Sequence, residues 1–204
     1  MFMRYASALL LASLVVAGCN SGPKSTPNTQ DAAKPAAKPA AQPLTGRLAL
    51  GKMAMPAHMW AGDVQPIHLE SQPTTDSDGT DGKASVWRST WASASKRSTK
   101  GFTWSDSDAE DAPPRGIMPG GEDTYSPTNS SMQAFDMGFL KIDSDAALKT
   151  AKDKLKGKEK QAKPIRFSLS FDRRQNQLAW RVAPSGAPTI DVDATTGKYI
   201  RTEH

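Results

Sequence analysis

Few residues in this chain are equipped for chemistry, and Cys19 is the only cysteine among 204 residues. A single thiol can be a nucleophile, a metal ligand or a point of modification, but it cannot close a disulfide within its own chain. The histidines are His58, His68 and the terminal His204. His58 follows Pro56 and sits beside Met59 and Trp60, so it is expected to be buried at least in part against an apolar face. No Gly-x-Ser-x-Gly elbow arranges a serine with a histidine and a carboxylate, so no catalytic residue and no cofactor is assigned, and the chain is read as not an enzyme. For metal, Asp76-Ser77-Asp78-Gly79-Thr80-Asp81 spaces oxygens as calcium takes them. Thr80 and Trp87 then stand where an EF-hand loop needs its third oxygen ligand and its glutamate. Asp106, Asp108, Glu110 and Asp111 are acidic without ligand register. Both segments are expected to be solvated loops, and no metal site is assigned.

The residues before Cys19 say what its thiol is for. Arg4 precedes an apolar run from Ala6 to Ala17 that closes on small residues, the pattern of a secretory signal. The run is too short to cross a bilayer, which takes about 20 apolar residues. Val16-Ala17-Gly18-Cys19 resembles the lipobox of bacterial lipoproteins. The resemblance implies a signal peptide over 1–18 and Cys19 as the lipid-attachment residue, carrying diacylglycerol and an amide-linked acyl chain such as palmitate. Each buried methylene contributes about 0.8 kcal/mol, so two or three chains hold where one does not. Asn20 follows Cys19 where an aspartate would signal inner-membrane retention. By the sorting rule of enterobacterial lipoproteins, this implies a cell-envelope protein anchored in the outer membrane and facing the periplasm. Residues 19–43 contain the near-repeat Ala-Lys-Pro-Ala-Ala-Lys-Pro-Ala-Ala-Gln-Pro and no aromatic residue, which reads as a disordered, polyproline-leaning tether.

Residues 44–204 must form whatever folds, and two blocks within them look alike. Pro66-Ile67-His68-Leu69 is followed by Val86-Trp87-Arg88, and Pro164-Ile165-Arg166-Phe167 by Ala179-Trp180-Arg181. The longer interval in the first block fits an insertion over 76–82 rich in turn residues. The second block is the more legible. Ser144 is the expected N-cap of a helix whose face is Leu148, Ala151 and Leu155 and which Gly157 ends. Ile165, Phe167, Leu169 and Phe171 alternate with polar residues as a half-buried strand does, and Leu178, Trp180 and Val182 repeat the pattern. Thr189–Asp193 is a third strand and Tyr199-Ile200 begins a fourth. The expected fold class is α+β, a helix packed on a small antiparallel sheet, duplicated in two halves. The organisation is a first half over 44–111, a connector over 112–133 and a second domain over 134–204. In the first half, Lys100-Gly101 is read as a plain turn. The five tryptophans, Trp60, Trp87, Trp91, Trp104 and Trp180, are read first as core.

The end of the second block, Val192-Asp193-Ala194-Thr195-Thr196-Gly197, resembles the terminal hairpin of the PepSY domain family. That likeness spans about Phe139 to Thr202, with a weak counterpart over Leu44 to Trp104. It implies a small noncatalytic module of exported proteins and peptidase propeptides, with an envelope protein or peptidase as partner. Asp193 and Gly197 serve the turn in this reading, the first by bonding its own backbone and the second by taking a positive φ. The alternative role comes from charge. From Lys149 to Arg166 there are eight basic residues against two acidic ones, on a chain whose net charge is +5. Such a segment could engage cell wall or anionic lipid, which would make the protein a structural or envelope-stress component. Nucleic acid is excluded as a partner because export separates the protein from the genome and no aromatic residues interleave the charges. The sequence leaves the oligomeric state open.

Overall fold

The computed structural model describes residues 40–129 and 132–204, and these form one compact unit. The chain runs α1 (Gly46–Trp60), β1 (Gln65–Ser71), β2 (Val86–Ser93), β3 (Ser98–Ser105) and β4 (Gly116–Thr124). It then runs α2 (Ser144–Lys154), β5 (Ile165–Asp172), β6 (Gln177–Pro184), β7 (Thr189–Asp193) and β8 (Tyr199–Glu203). Each half is therefore a helix followed by a four-stranded meander.

The halves do not close on themselves, and this corrects the expected fold class. Instead of a helix on a small sheet made twice, all eight strands join in one antiparallel sheet ordered β4-β3-β2-β1-β5-β6-β7-β8, and the described residues hold only two short α-helices. The molecule is mostly sheet. The seam is β1 against β5, with Leu69 opposite Leu169, His68 opposite Ser170 and Glu70 opposite Ser168. An exposed inner edge on either half would leave a row of backbone donors and acceptors unpaired; joining the edges satisfies both rows. Ser71 Oγ and the Asp78 carbonyl extend the seam by accepting from the backbone N–H groups of Phe167 and Ile165 at 2.8 Å each. The turn-rich 76–82 segment is thus docked on the other half, with Gly79 at φ 78° because a Cβ there would meet the Ile165 carbonyl.

Both helices lie on one sheet face over a single core. Trp87 and Trp180 face each other edge-on with ring centroids 6.3 Å apart, and Phe167 completes the cluster. Each tryptophan donates its indole N–H to the carbonyl two residues before its own helix, Leu44 at 2.9 Å and Ile142 at 2.8 Å. The helix starts also meet each other. Asp143, not Ser144, is the N-cap of α2, and its carboxylate accepts from Ser144 N, Arg47 N and Thr45 Oγ1 at 2.6–2.9 Å. One carboxylate therefore caps α2 and takes up the α1 start, where Thr45 supplies no cap of its own.

Several local expectations are revised. Lys100-Gly101 lies in the middle of β3, and the turn falls just before it. The connector over 112–133 contains β4. α2 ends at Lys154, before Gly157, and Leu155 is buried as its C-cap. His58 is exposed, because α1 turns Met53 and Ala57 into the core and His58 outward.

Candidate functional site

Alternation along the strands sends Trp87, Phe167, Leu169, Trp180, Val182, Ile190 and Val192 under the helices, and the intervening residues to the opposite face. Over the first half that opposite face is partly covered. A bulge between Pro66 and His68 turns Ile67 to this side, where it packs with Ala92 and Tyr125. Over the second half no helix among the described residues covers it. There Arg181 on β6, Asp191 on β7 and Arg201 on β8 stand in register. Arg181 Nε lies 3.1 Å from Asp191 Oδ1 and Arg201 Nη2 lies 2.6 Å from Asp191 Oδ2. Both arginines also reach Glu203 at 2.8 Å, and Arg201 pairs with Asp172.

The Asp191 side chain is only 3% exposed, so the two guanidinium groups form its lid. A carboxylate this deep is tolerated because both partners are charged and bonded to it. Burial alone would raise the Asp172 pKa, but its bonds to Arg201 and to the Arg174 N–H outweigh burial and hold it below the usual range. Arg181 is pushed up by its bond to Asp191. Burial opposes the charge on Arg201, yet Asp172 and Glu203 raise it on balance. Glu70 is lowered first by His68, 3.5 Å away, and further by Arg88 and Arg166, the nearby charges on β2 and β5. The result is a lattice of alternating charge flooring a concavity of about 620 Å³, with Arg173 and Arg174 exposed at its rim.

A second concavity of about 510 Å³ adjoins the first at Phe171. Its wall is more apolar, with Phe135, Phe139 and Leu178, and Phe139 is 57% exposed. The Asp193–Gly197 hairpin forms one side of it. Asp193 Oδ1 accepts from the Thr195 and Thr196 N–H groups at 2.7 and 3.1 Å, and Gly197 has φ 74°. The turn itself is a docking post for the approach to α2, since the Ala194 carbonyl accepts from Lys141 N and Ile142 N. Asp193 therefore lines the site with its carboxylate committed to its own turn, and Gly197 shapes that turn beside Ile142.

Other groups read from the sequence are dispersed or committed. Cys19 lies outside the described residues, as do the signal segment and the tether through residue 39. In the acidic loop, Asp76 accepts from Thr74 and Ser107, Asp78 from Thr80, and Asp81 from the Lys83 N–H. Asp106 and Asp108 pair with Arg115 across the β3–β4 turn. The basic residues of the segment do not all lie on one side of the sheet. Lys152 bonds the Thr80 carbonyl, Lys154 sits over the Tyr199 ring, Lys163 pairs with Asp78, and Arg166 lies on the far side of the sheet beside Glu70. The Arg181–Asp191–Arg201 lattice was not singled out from the sequence. Its one signal is Asp191 between Ile190 and Val192, a charge at the outward position of a strand whose inward neighbours are fully buried.

Comparison with protein-family models, with curated proteins and with solved structures finds no match to this chain.

Proposed function

We propose that this protein is a noncatalytic, lipid-anchored envelope module whose uncovered sheet face receives a protein partner. A preorganised charged floor that continues into an apolar slot at Phe171 carries this reading. A partner placed there meets a surface already ordered, so little rotamer freedom is lost on binding. Phe139 offers the exposed aromatic anchor, and Arg173 and Arg174 offer donors for carboxylates at the rim. The PepSY-like hairpin at Val192–Gly197 supports a peptidase as the partner class, the lipobox-like Val16–Cys19 supports a membrane-anchored encounter, and Asn20 supports the outer membrane, facing the periplasm.

The test is quantitative co-purification from detergent-solubilised membranes of the wild-type chain against Arg173→Glu/Arg174→Glu and Phe139→Ala. These side chains are exposed, so the variants should fold. The proposal expects the same envelope protein from wild type in repeated preparations and its loss from both variants. Consistent recovery of no envelope partner, or recovery unaffected by either variant, overturns it.

A further inference from the structure

α1 is apolar on both sides. Its inner stripe, Ala49, Leu50, Met53 and Ala57, is fully buried. The opposite stripe, Leu48, Met55 and Met59, is 58%, 71% and 83% exposed. These positions fall within one narrow arc of the helix, since residues four, seven and eleven apart share a face. A helix with apolar stripes on two opposite sides normally has a second neighbour. Here none of the described residues covers that stripe. Lys52 stands beside it on the helix, and at the helix end the ammonium groups of Lys96 and Lys100 lie 5.2 and 5.7 Å from the Trp60 ring. Of the nearby acids, Glu122 is held by Lys100 and Trp60, and Asp63 by Ser93 and Ser95.

An apolar stripe with a basic and aromatic margin fits the headgroup boundary of an anionic bilayer, where side chains enter the upper acyl region and cations meet phosphates. α1 is also the first element after the tether. The 25 residues of 19–43 can span at most ~90 Å even when extended. A domain held that close to lipid needs only weak affinity to dock, because its effective concentration at the surface is high. We infer that α1 is a membrane-docking helix whose Leu48–Met55–Met59 stripe lies on the lipid surface that anchors Cys19. The consequence is orientation. The helices occupy one face of the sheet and the Arg181–Asp191–Arg201 lattice the other, so docking through α1 turns that lattice away from the membrane. The inference rests on the anchoring read from the lipobox, but its test requires neither lipid modification nor a partner protein.

The probe is the chain from residue 19 onward carrying Cys19→Ser, mixed with vesicles of phosphatidylcholine alone or with added phosphatidylglycerol. The expected result is co-sedimentation with the anionic vesicles only, weakened by high salt, and lowered about tenfold or more by Met55→Glu or Met59→Glu with unchanged thermal unfolding. In the same Cys19→Ser background, an environment-sensitive dye on Met59→Cys should shift to the blue with anionic vesicles, whereas a dye on Arg88→Cys on the opposite face should not. No vesicle binding, equal shifts at both positions, or a vesicle-free dimer that buries the Met59→Cys dye would each overturn the inference. The partner co-purification above could still succeed in any of those cases.

Discussion

Gly46 and Gly51 lie on the same helix, and replacing each with alanine should move stability in opposite directions. Alanine in a helix is ordinarily the better residue by up to about 1 kcal/mol. At Gly51 nothing lies within 4 Å of the added methyl, so Gly51→Ala should stabilise by about 0.5–1 kcal/mol. At Gly46 the methyl would stand 2.4 Å from Cη2 of Trp180 and 3.0 Å from Cη2 of Trp87. Trp180 cannot swing away freely, because it is fully buried, its N–H is held by the Ile142 carbonyl at 2.8 Å, and Trp87 closes its other side. Forcing a methyl into such a site costs about 1–3 kcal/mol, which exceeds the helical gain and leaves Gly46→Ala about 1–2 kcal/mol less stable. For a unit of residues 39–204 that is a fall in Tm of roughly 2–8 °C, against a rise of roughly 1–4 °C for Gly51→Ala. Thermal unfolding followed by circular dichroism measures both. A Gly46→Ala protein as stable as wild type would refute the close approach of α1 to both tryptophans, and with it the joint core of the two halves.

Asp143→Ala should destabilise by about 2–3 kcal/mol, since it uncaps α2 and removes the acceptor for Thr45 and Arg47 at the start of α1. A double-mutant cycle with Thr45→Val should show coupling of about 1 kcal/mol in a single unfolding transition, and simple additivity would deny the shared cap. Acid should destabilise the fold in a defined window. Asp63 is lowered from 3.8 to about 2, first by the Ser93 hydroxyl and then by the Ser95 N–H. A depressed carboxylate contributes stability that is fully present above its unfolded pKa and is lost as pH falls through the folded one. Stability should therefore hold above about pH 5 and fall between pH 4 and 2. Asp63→Asn should start lower at neutral pH and meet the wild-type curve near pH 2, a convergence readable from urea midpoints across that range.

Much of the second half was legible because its signals are local. The alternation of Ile165, Phe167 and Leu169 and the Asp193 hairpin each lie within a few residues of chain. The first half was harder for physical reasons. Its long hairpin over 72–85 breaks the strand spacing, and the bulge beside Ile67 puts that side chain on the face opposite to Ile165, its match in sequence. β4 is almost wholly exposed and carries Pro119, Gly120 and Gly121, so its composition reads as a loop. It forms because β3 offers it an edge.

The fused sheet was out of reach for a different reason. Periodicity says which residues of a strand face inward and is silent about which strand lies alongside. At the seam the choice is made by Leu69 opposite Leu169, by the Ser71 hydroxyl and by Asp143 between two helix starts, all contacts across about 100 residues of chain. The candidate site inherits that dependence. Arg181, Asp191 and Arg201 look like three ordinary outward charges until β6, β7 and β8 fix their register, and then one buried carboxylate binds two arginines into a single surface. The same holds for α1. Its outward methionines are unremarkable as sequence, and they become a feature only once the sheet has claimed Met53 and left Met55 and Met59 facing out. The fold thus creates two faces of different chemistry, a helix with an exposed apolar stripe on one side and a charged lattice on the other.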